Sequence, residues 1–430
     1  MTHTNFEELG ERFWEAPARR SGDVRSPYER DRGRVIHSAA FRRLQGKTQV
    51  MGAGEGDFHR TRLTHSIECA QIGAGLLQVL MAKRCTLPSE LQPWLPERDL
   101  IEAACFAHDL GHPPFGHGGE QALQAQMWNQ GGFEGNGQTL RIITKLEKYS
   151  AAGWGINPTR RLILAILKYP IQYSGFNSID HKNKPPKCYF DEERPIVEWA
   201  LNALPAADVS KLAERDEKLK ARHHTFDCSL MELADDIAYG VHDVEDIVAR
   251  QLASKEQVLS EMQKVFKKID GPILQDGQAL TAECITNDLF GSSFDRKSRI
   301  SALVNLFISS VIVERKEGFG HPLLAYRVKL SADLQSFLNG LKHMAFSLVI
   351  SRAEVRQLEE RGKRVVAGLL EALAQKPAEL IPSHSWAQGD VGASDIRRVC
   401  DYVAGMTDAY AERVYRRLFI PGSGSSRDEL

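Results

Sequence analysis

No stretch of the 430 residues is an apolar run of the 18 or more positions that a membrane span needs. No C-x-x-C pair is present either. The seven cysteines (Cys69, Cys85, Cys105, Cys188, Cys228, Cys284 and Cys400) are odd in number and scattered, which argues against a zinc or disulfide framework and for reduced thiols. Net charge is nearly absent: 55 Lys and Arg stand against 56 Asp and Glu, so a surface wholly given to gripping nucleic acid is not expected. Met1 to Arg20 contain no apolar h-region, so no secretory signal is expected and the protein is placed in the cytoplasm, with no membrane partner. Strand signals are scarce, limited to Thr48–Met51 and Leu323–Leu330, and no internal repeat is visible.

What is there is ordinary globular composition, 42% hydrophobic and 26% charged, in a chain long enough for two packed regions. Apolar residues recur at helical spacing over 65–83, 99–108, 157–168, 227–250, 304–312, 341–375 and 395–418. Pro113 and Pro114 stop the second of these. The expectation is therefore a mostly helical protein, with an irregular insertion between Tyr173 and Phe190 and a loose tail over 421–430.

Three of the 14 histidines fall within ten residues, His108, His112 and His117 in AHDLGHPPFGHGGE. His108 and Asp109 follow the apolar turns Ala103 to Ala107, so their polar groups end a buried helix and need a partner or a metal. Nitrogen beside a hard oxygen suits Mn, Fe, Zn or Mg. Read alone, the pair is equally a capped helix end. His117 and Glu120 stand three apart at the start of the next helix, a spacing that lets the carboxylate orient the imidazole.

The second dense region is LMELADDIAYGVHDVEDI. Its apolar stripe is Leu230, Ala234, Ile237, Val241, Val244 and Val248, and Asp235, Tyr239 and Asp243 stack at i, i+4 and i+8 on the opposite face. Taken alone this stack reads as a solvated acidic face, since charge runs usually face water. It also offers a carboxylate for a metal, an aromatic hydroxyl and a second carboxylate two turns on. Residues 19–62 hold 11 Lys or Arg and 5 Asp or Glu.

His65, His108-Asp109 and Asp235 together resemble the H…HD…D pattern of the HD-domain metal-dependent phosphohydrolases. FRRLQGKTQV (41–50), RTRLTHSIE (60–68), HDLGHPPFGHGGE (108–120), FEGNGQTLR (133–141), LADDIAYGVHDVED (233–246) and DYVAGMTDAYA (401–411) are similar to the deoxynucleoside triphosphate triphosphohydrolase (dGTPase-like) branch. The resemblance spans nearly the whole chain in order. It implies an all-α fold, with an HD-type catalytic core over 1–250 (insertion about 131–226), a C-terminal helical region over 251–420, and at most short β-hairpins. It implies hydrolysis of a deoxynucleoside triphosphate (dGTP or several dNTPs) to deoxynucleoside and inorganic triphosphate. A divalent metal, Mg, Mn or Fe, would be held by His65, His108, Asp109 and Asp235.

By the same matching, His117 with Glu120 serves the attacking water or the leaving group, and His112 contacts phosphate or donates a proton. Arg62 would lie near base and phosphate, Gln49 and Val50 at the deoxyribose edge, and Asn136, Lys168, Tyr169 and Lys187 at the phosphates. Tyr239 and Asp243 would close on the sugar. Two departures stand out. Asp236 occupies a position where some relatives carry a phosphate-binding Lys, and no base-recognition residues can be matched. Relatives also imply a homo-oligomer, up to a hexamer, and a nucleotide effector. The apolar stretch Val365, Val366, Leu369, Leu370 and Leu373 fits an assembly surface or internal packing equally well. The alternatives are another HD nucleotide phosphohydrolase, such as a deoxynucleoside monophosphate phosphatase, or a nucleotide- or single-stranded nucleic-acid-binding protein with a vestigial site. The basic 19–62 stretch keeps single-stranded nucleic acid among the expected partners.

Overall fold

Hydroxyl caps punctuate this chain. Ser26, Thr159, Thr225, Ser254, Ser292 and Thr407 each accept a backbone N–H from the first turn of the helix that follows, which sets where the helices begin. The computed structural model describes residues 6–15, 21–49, 60–149, 155–176, 182, 184–386 and 394–423. Its principal helices are α1 (Pro27–His37), α2 (Arg62–Ala82), α3 (Arg98–Ala107), α4 (Gly116–Met127), α5 (Gly135–Arg141), α6 (Arg160–Ile166), α7 (Arg194–Leu201) and α8 (Phe226–Ala249). They continue with α9 (Lys255–Phe266), α10 (Ala282–Leu289), α11 (Ser293–Ser309), α12 (Ala332–Ala345), α13 (Ala353–Gln375), α14 (Asp395–Ala404) and α15 (Asp408–Phe419).

The all-α class expected from the sequence holds. Among the described residues the strands form two antiparallel ribbons, β1 (Leu274–Gln275) with β2 (Gln278–Ala279) and β3 (Ile312–Arg315) with β4 (Tyr326–Lys329). β4 takes up the extended stretch expected near Leu323–Leu330. The other expected strand shrinks to a single bridge between Thr48 and Thr61, and Met51 lies outside the described residues. Two helices that periodicity joins are broken: 341–375 is interrupted after a π-turn at Phe346–Ile350, and 395–418 at Gly405–Thr407. No described helix is long and apolar enough to cross a membrane.

The chain forms two compact units, neither contiguous in sequence. The first comprises Met1–Ser66, Phe106–His224 and Gln357–Leu430. Its core packs Leu123 and Met127 of α4 and Phe133 against Val366, Leu369 and Leu370 of α13, Val399 and Val403 of α14 and Val414 of α15. Burying such side chains stabilises by about 1.5–3 kcal/mol each. Val365, Val366, Leu369, Leu370 and Leu373 all belong to this core, so internal packing accounts for the stretch that an assembly surface would also have explained. Arg141, fully buried, is held by Asp401 and by Glu192 and Glu193.

The second unit comprises Ile67–Cys105 and Thr225–Arg356. Here α8 lies along α12, α11 and β4, with Leu230, Ala234, Ile237, Val241, Val244 and Val248 all buried, as the apolar stripe predicts. None of the seven cysteines is joined in a disulfide.

Candidate active site

Helix α3 ends at Ala107, so His108 and Asp109 sit in the turn leading to Pro113 and Pro114, released from the ~100° separation of successive helical residues. His65 stands in the first turn of α2. One ligand atom each from His65, His108 and Asp109 lie within 4.8 Å of one another, and all three side chains are buried. Two imidazole nitrogens and a carboxylate oxygen make a donor set that suits a divalent ion, so this trio could hold a metal.

Asp109 is the hub of the trio. Its Oδ2 accepts from Arg62 at 2.8 Å, and its Oδ1 lies 3.1 Å from His112 Nδ1 and 3.5 Å from His108 Nε2. Burial alone would raise its pKa, but His112, the Arg62 guanidinium and His108 outweigh it and hold the carboxyl well below the usual range. Burial, together with Arg62, pushes the His112 imidazole below its ordinary value. Arg62, expected beside base and phosphate, is buried with its guanidinium on Asp109.

The turn is held from two sides. Thr139 of α5 donates its hydroxyl to the His108 carbonyl and accepts from Gly111 N–H. α5 comes so close that a Cβ on Gly111 would lie 2.0 Å from the Gly135 carbonyl oxygen. Lys47 Nζ donates to the carbonyls of His112 and Ala404 from a fully enclosed position. Burial, with the charges of Arg43 and Arg62, pulls its pKa down to about 7.

A second group assembles on α4. His117 Nδ1 lies 3.1 Å from Glu120 Oε2, while Glu120 Oε1 accepts from Gly135 N–H at 2.9 Å. An ionised carboxylate only accepts, so Nδ1 carries the proton and Nε2 is left as the basic ring atom. The His117 ring is 74% exposed whereas Glu120 is buried, so the imidazole is presented outward on an anchored stem. Lys187 Nζ lies 2.6 Å from Glu134 and 3.8 Å from Glu120. Burial opposes the Glu120 charge, yet Lys187 and then His117 hold its carboxyl below the usual range. Reciprocally, Glu134 and Glu120 overcome burial and raise Lys187. Asn136 donates to the same Glu134 at 2.8 Å, and the Tyr169 ring centroid is 5.9 Å from Lys187 Nζ. The structure thus gathers His117, Glu120, Asn136, Tyr169 and Lys187 of the expected set. Lys168 and Gln49 are half-buried, and Val50 lies outside the described residues.

In the second unit the acidic stack is not a solvated face: Asp243 is 5% exposed, and Asp235 and Tyr239 are half-buried. Burial, then Asp243 and Asp235, raise the Tyr239 hydroxyl. Asp236, one residue round the helix, pairs with Lys342. Sequence reasoning missed Glu134, Thr139, Lys47 and Asp408. All four stand inside the quoted motifs, Lys47 in FRRLQGKTQV, Glu134 and Thr139 in FEGNGQTLR and Asp408 in DYVAGMTDAYA, which was the available signal.

The model of the HD domain matches residues 62–166, and that of the phosphohydrolase-associated domain matches residues 328–417. A deoxyguanosinetriphosphate triphosphohydrolase-like protein 2 of Deinococcus radiodurans is 41% identical over 421 residues, covering 94% of this chain and 95% of that protein. A deoxyguanosinetriphosphate triphosphohydrolase-like protein of Shewanella halifaxensis is 42% identical over 429 residues, with 94% and 95% covered.

Proposed function

Because the chain belongs to the deoxyguanosinetriphosphate triphosphohydrolase-like family of HD-domain phosphohydrolases, we propose that it hydrolyses deoxynucleoside triphosphates to deoxynucleoside and inorganic triphosphate. The observation that carries this reading is the placement of His108, Asp109 and His112 in one turn, with His65 of α2 beside it, and of the His117–Glu120 pair at the start of the helix that follows, the His112 and His117 ring centroids 6.0 Å apart. His65, His108 and Asp109 would hold a divalent ion, with Asp235 as the fourth ligand by its place in the family pattern. When bound, such an ion supplies Lewis acidity at the phosphate and acidifies water.

The reaction adds water to the α-phosphorus, breaks the bond to the 5′-oxygen and returns one proton to that oxygen. His117 is built to move the proton. Glu120 fixes its Nδ1–H, leaving Nε2 to accept or donate, and the buried carboxylate stabilises the imidazolium formed in between. His112, with Nδ1 3.1 Å from Asp109 Oδ1, is the second imidazole on the same turn and would contact phosphate. Arg62 orients Asp109 as well as adding positive charge. Lys187 offsets Glu120 and Glu134, so Asn136, Lys168 and Tyr169 share the phosphate contacts with it. By their places in the family pattern, Gln49 would meet the deoxyribose edge and Tyr239 and Asp243 the sugar, where a tight fit would exclude ribonucleotides.

The deciding experiment offers all four dNTPs with Mg or Mn and resolves the products. Inorganic triphosphate is expected. Orthophosphate from a deoxynucleoside monophosphate would instead make the protein another HD phosphatase. Nucleotide binding with no hydrolysis would make it a binding protein.

A further inference from the structure

The segment that presents His112 and His117 is gripped from the far end of the sequence. Phe115, between Pro114 and Gly116, has φ 60°, a left-handed conformation that a bulky residue adopts only when its surroundings impose it, and Gly116 follows at φ 56°. Phe115 N–H donates to Asp408 Oδ1 at 2.9 Å. The Phe115 side chain lies against α13 at Gly362, where an added Cβ would come within 2.5 Å of Phe115 Cβ.

Asp408 is the first residue of α15, yet it does not cap that helix: Thr407 does, accepting from Tyr410 N–H at 3.2 Å. Both Asp408 oxygens face outward from the helix. Oδ2 accepts from Thr48 N–H at 3.0 Å and from the Thr48 hydroxyl. The preceding residue, Lys47, completes the tie by donating to the Ala404 carbonyl at 2.9 Å and to that of His112. Gly46 lets this segment close on the same turn, since a Cβ there would lie 2.9 Å from Thr407 Cβ. Residues 404–408 therefore hold the 112–115 loop at both ends, directly at Phe115 and through Lys47 at His112.

We propose that the turn between α14 and α15 is a clamp on the loop that carries His112 and leads into His117, with Asp408 and Lys47 as positioning residues. Asp408 holds Phe115 left-handed, and that turn aims α4, hence His117 and Glu120. Lys47 sets the height of His112. Because Thr48 shares Asp408 with Phe115, the segment leading to Gln49 and the histidine loop are fixed by one carboxylate. Neither residue touches the reacting atoms. The inference deepens the proposed hydrolysis and rests on that reading for its kinetic consequence only.

The test uses full-length protein with 15N-labelled histidine, in the parent and in Asp408→Ala, Phe115→Gly and the double variant. In Asp408→Ala the ring signals of His112 and His117 should shift or broaden while that of His321, whose ring packs on Trp94 in the second unit, stays in place. Phe115→Gly should bring them back in the double variant, because glycine reaches positive φ without help. With dGTP and Mn, Asp408→Ala should lower kcat about a hundredfold, the scale of a misplacement of about 1 Å, with KM little changed. Phe115→Gly should restore at least about tenfold of it, against the further loss that simple additivity of two destabilising changes predicts. Asp408→Asn keeps the volume and one acceptor oxygen, and it carries the same readouts if the alanine variant does not fold. Unmoved His112 and His117 signals, or a double variant worse than Asp408→Ala in both readouts, would overturn the clamp. A parent that turns over no dNTP would sink the proposed hydrolysis instead, and the histidine spectra would still decide the clamp.

Discussion

Glu120 is the residue on which the proposed chemistry turns, because its two oxygens join α4 to α5 and fix the His117 tautomer. Glu120→Gln keeps the shape but removes the charge that stabilises a protonated imidazole. Turnover is expected to fall about a hundredfold with metal content unchanged, as read by steady-state kinetics and elemental analysis. Lys187 has the complementary task of neutralising Glu120 and Glu134. Lys187→Met leaves two buried carboxylates facing each other and should cost about 3 kcal/mol in urea unfolding, with Glu134→Gln recovering part of it. The pH dependence has a definite sign. Glu120 is depressed in the fold, so its contribution is complete above the ordinary value of 4.5 and is lost as pH falls through the lower folded value. Lys187 is raised, so its contribution is complete below 10.5 and is lost as pH rises beyond it. The parent should thus lose stability below about pH 4.5 more steeply than Lys187→Met does. On α8, Asp235→Asn should abolish metal uptake while Asp236→Asn, whose carboxylate is engaged by Lys342, should retain it; the reverse result in calorimetric Mn titrations would move the ligand by one residue. Asp109, His117 and Glu120 were legible because motif and spacing put them in one window. Glu134, Lys47 and Asp408 were not, because their partners stand 53, 65 and 293 residues away in the chain and no periodicity encodes such pairings.

Helices were legible wherever an apolar stripe and a cap coincide. α8 begins at Phe226 behind Thr225, within a residue of its expected start, and buries the whole expected stripe. The errors lie where the chain bends without a proline. The π-turn at Phe346–Ile350 keeps hydrogen bonding and apolar spacing going, so 341–375 reads as one helix until the break at Ser351 and Arg352. At 405–407 a glycine and a capping threonine did signal a stop, but the apolar pattern resumes in phase on the far side. The approach of α5 to the His108–Gly111 turn was invisible in the sequence, and it makes a prediction at this scale. Gly111→Ala puts a methyl where the Gly135 carbonyl stands, so α5 must retreat. A loss of about 1–3 kcal/mol in thermal unfolding is expected, as for other overpacked interiors. A variant as stable as the parent would mean that α5 yields freely.

At the scale of the whole molecule, a metal that binds only the folded protein adds to its stability. Saturation at a hundred times Kd contributes about 2.7 kcal/mol, so stripping divalent ions with EDTA should lower Tm and Mn should restore it. His108→Ala should erase the difference in a calorimetric scan. The helical class could be read from periodicity and the scarcity of strand signals, but the division into two interleaved units could not, since each draws on segments far apart in the sequence. That interleaving gives the Phe115–Asp408 contact a meaning in time. A ribosome adding about 5–20 residues per second needs roughly 15–60 s to pass from the loop to its anchor. For that interval the nascent chain carries its histidine turn without the carboxylate that twists Phe115, and a message broken before codon 408 would yield polypeptides in which that turn is never set.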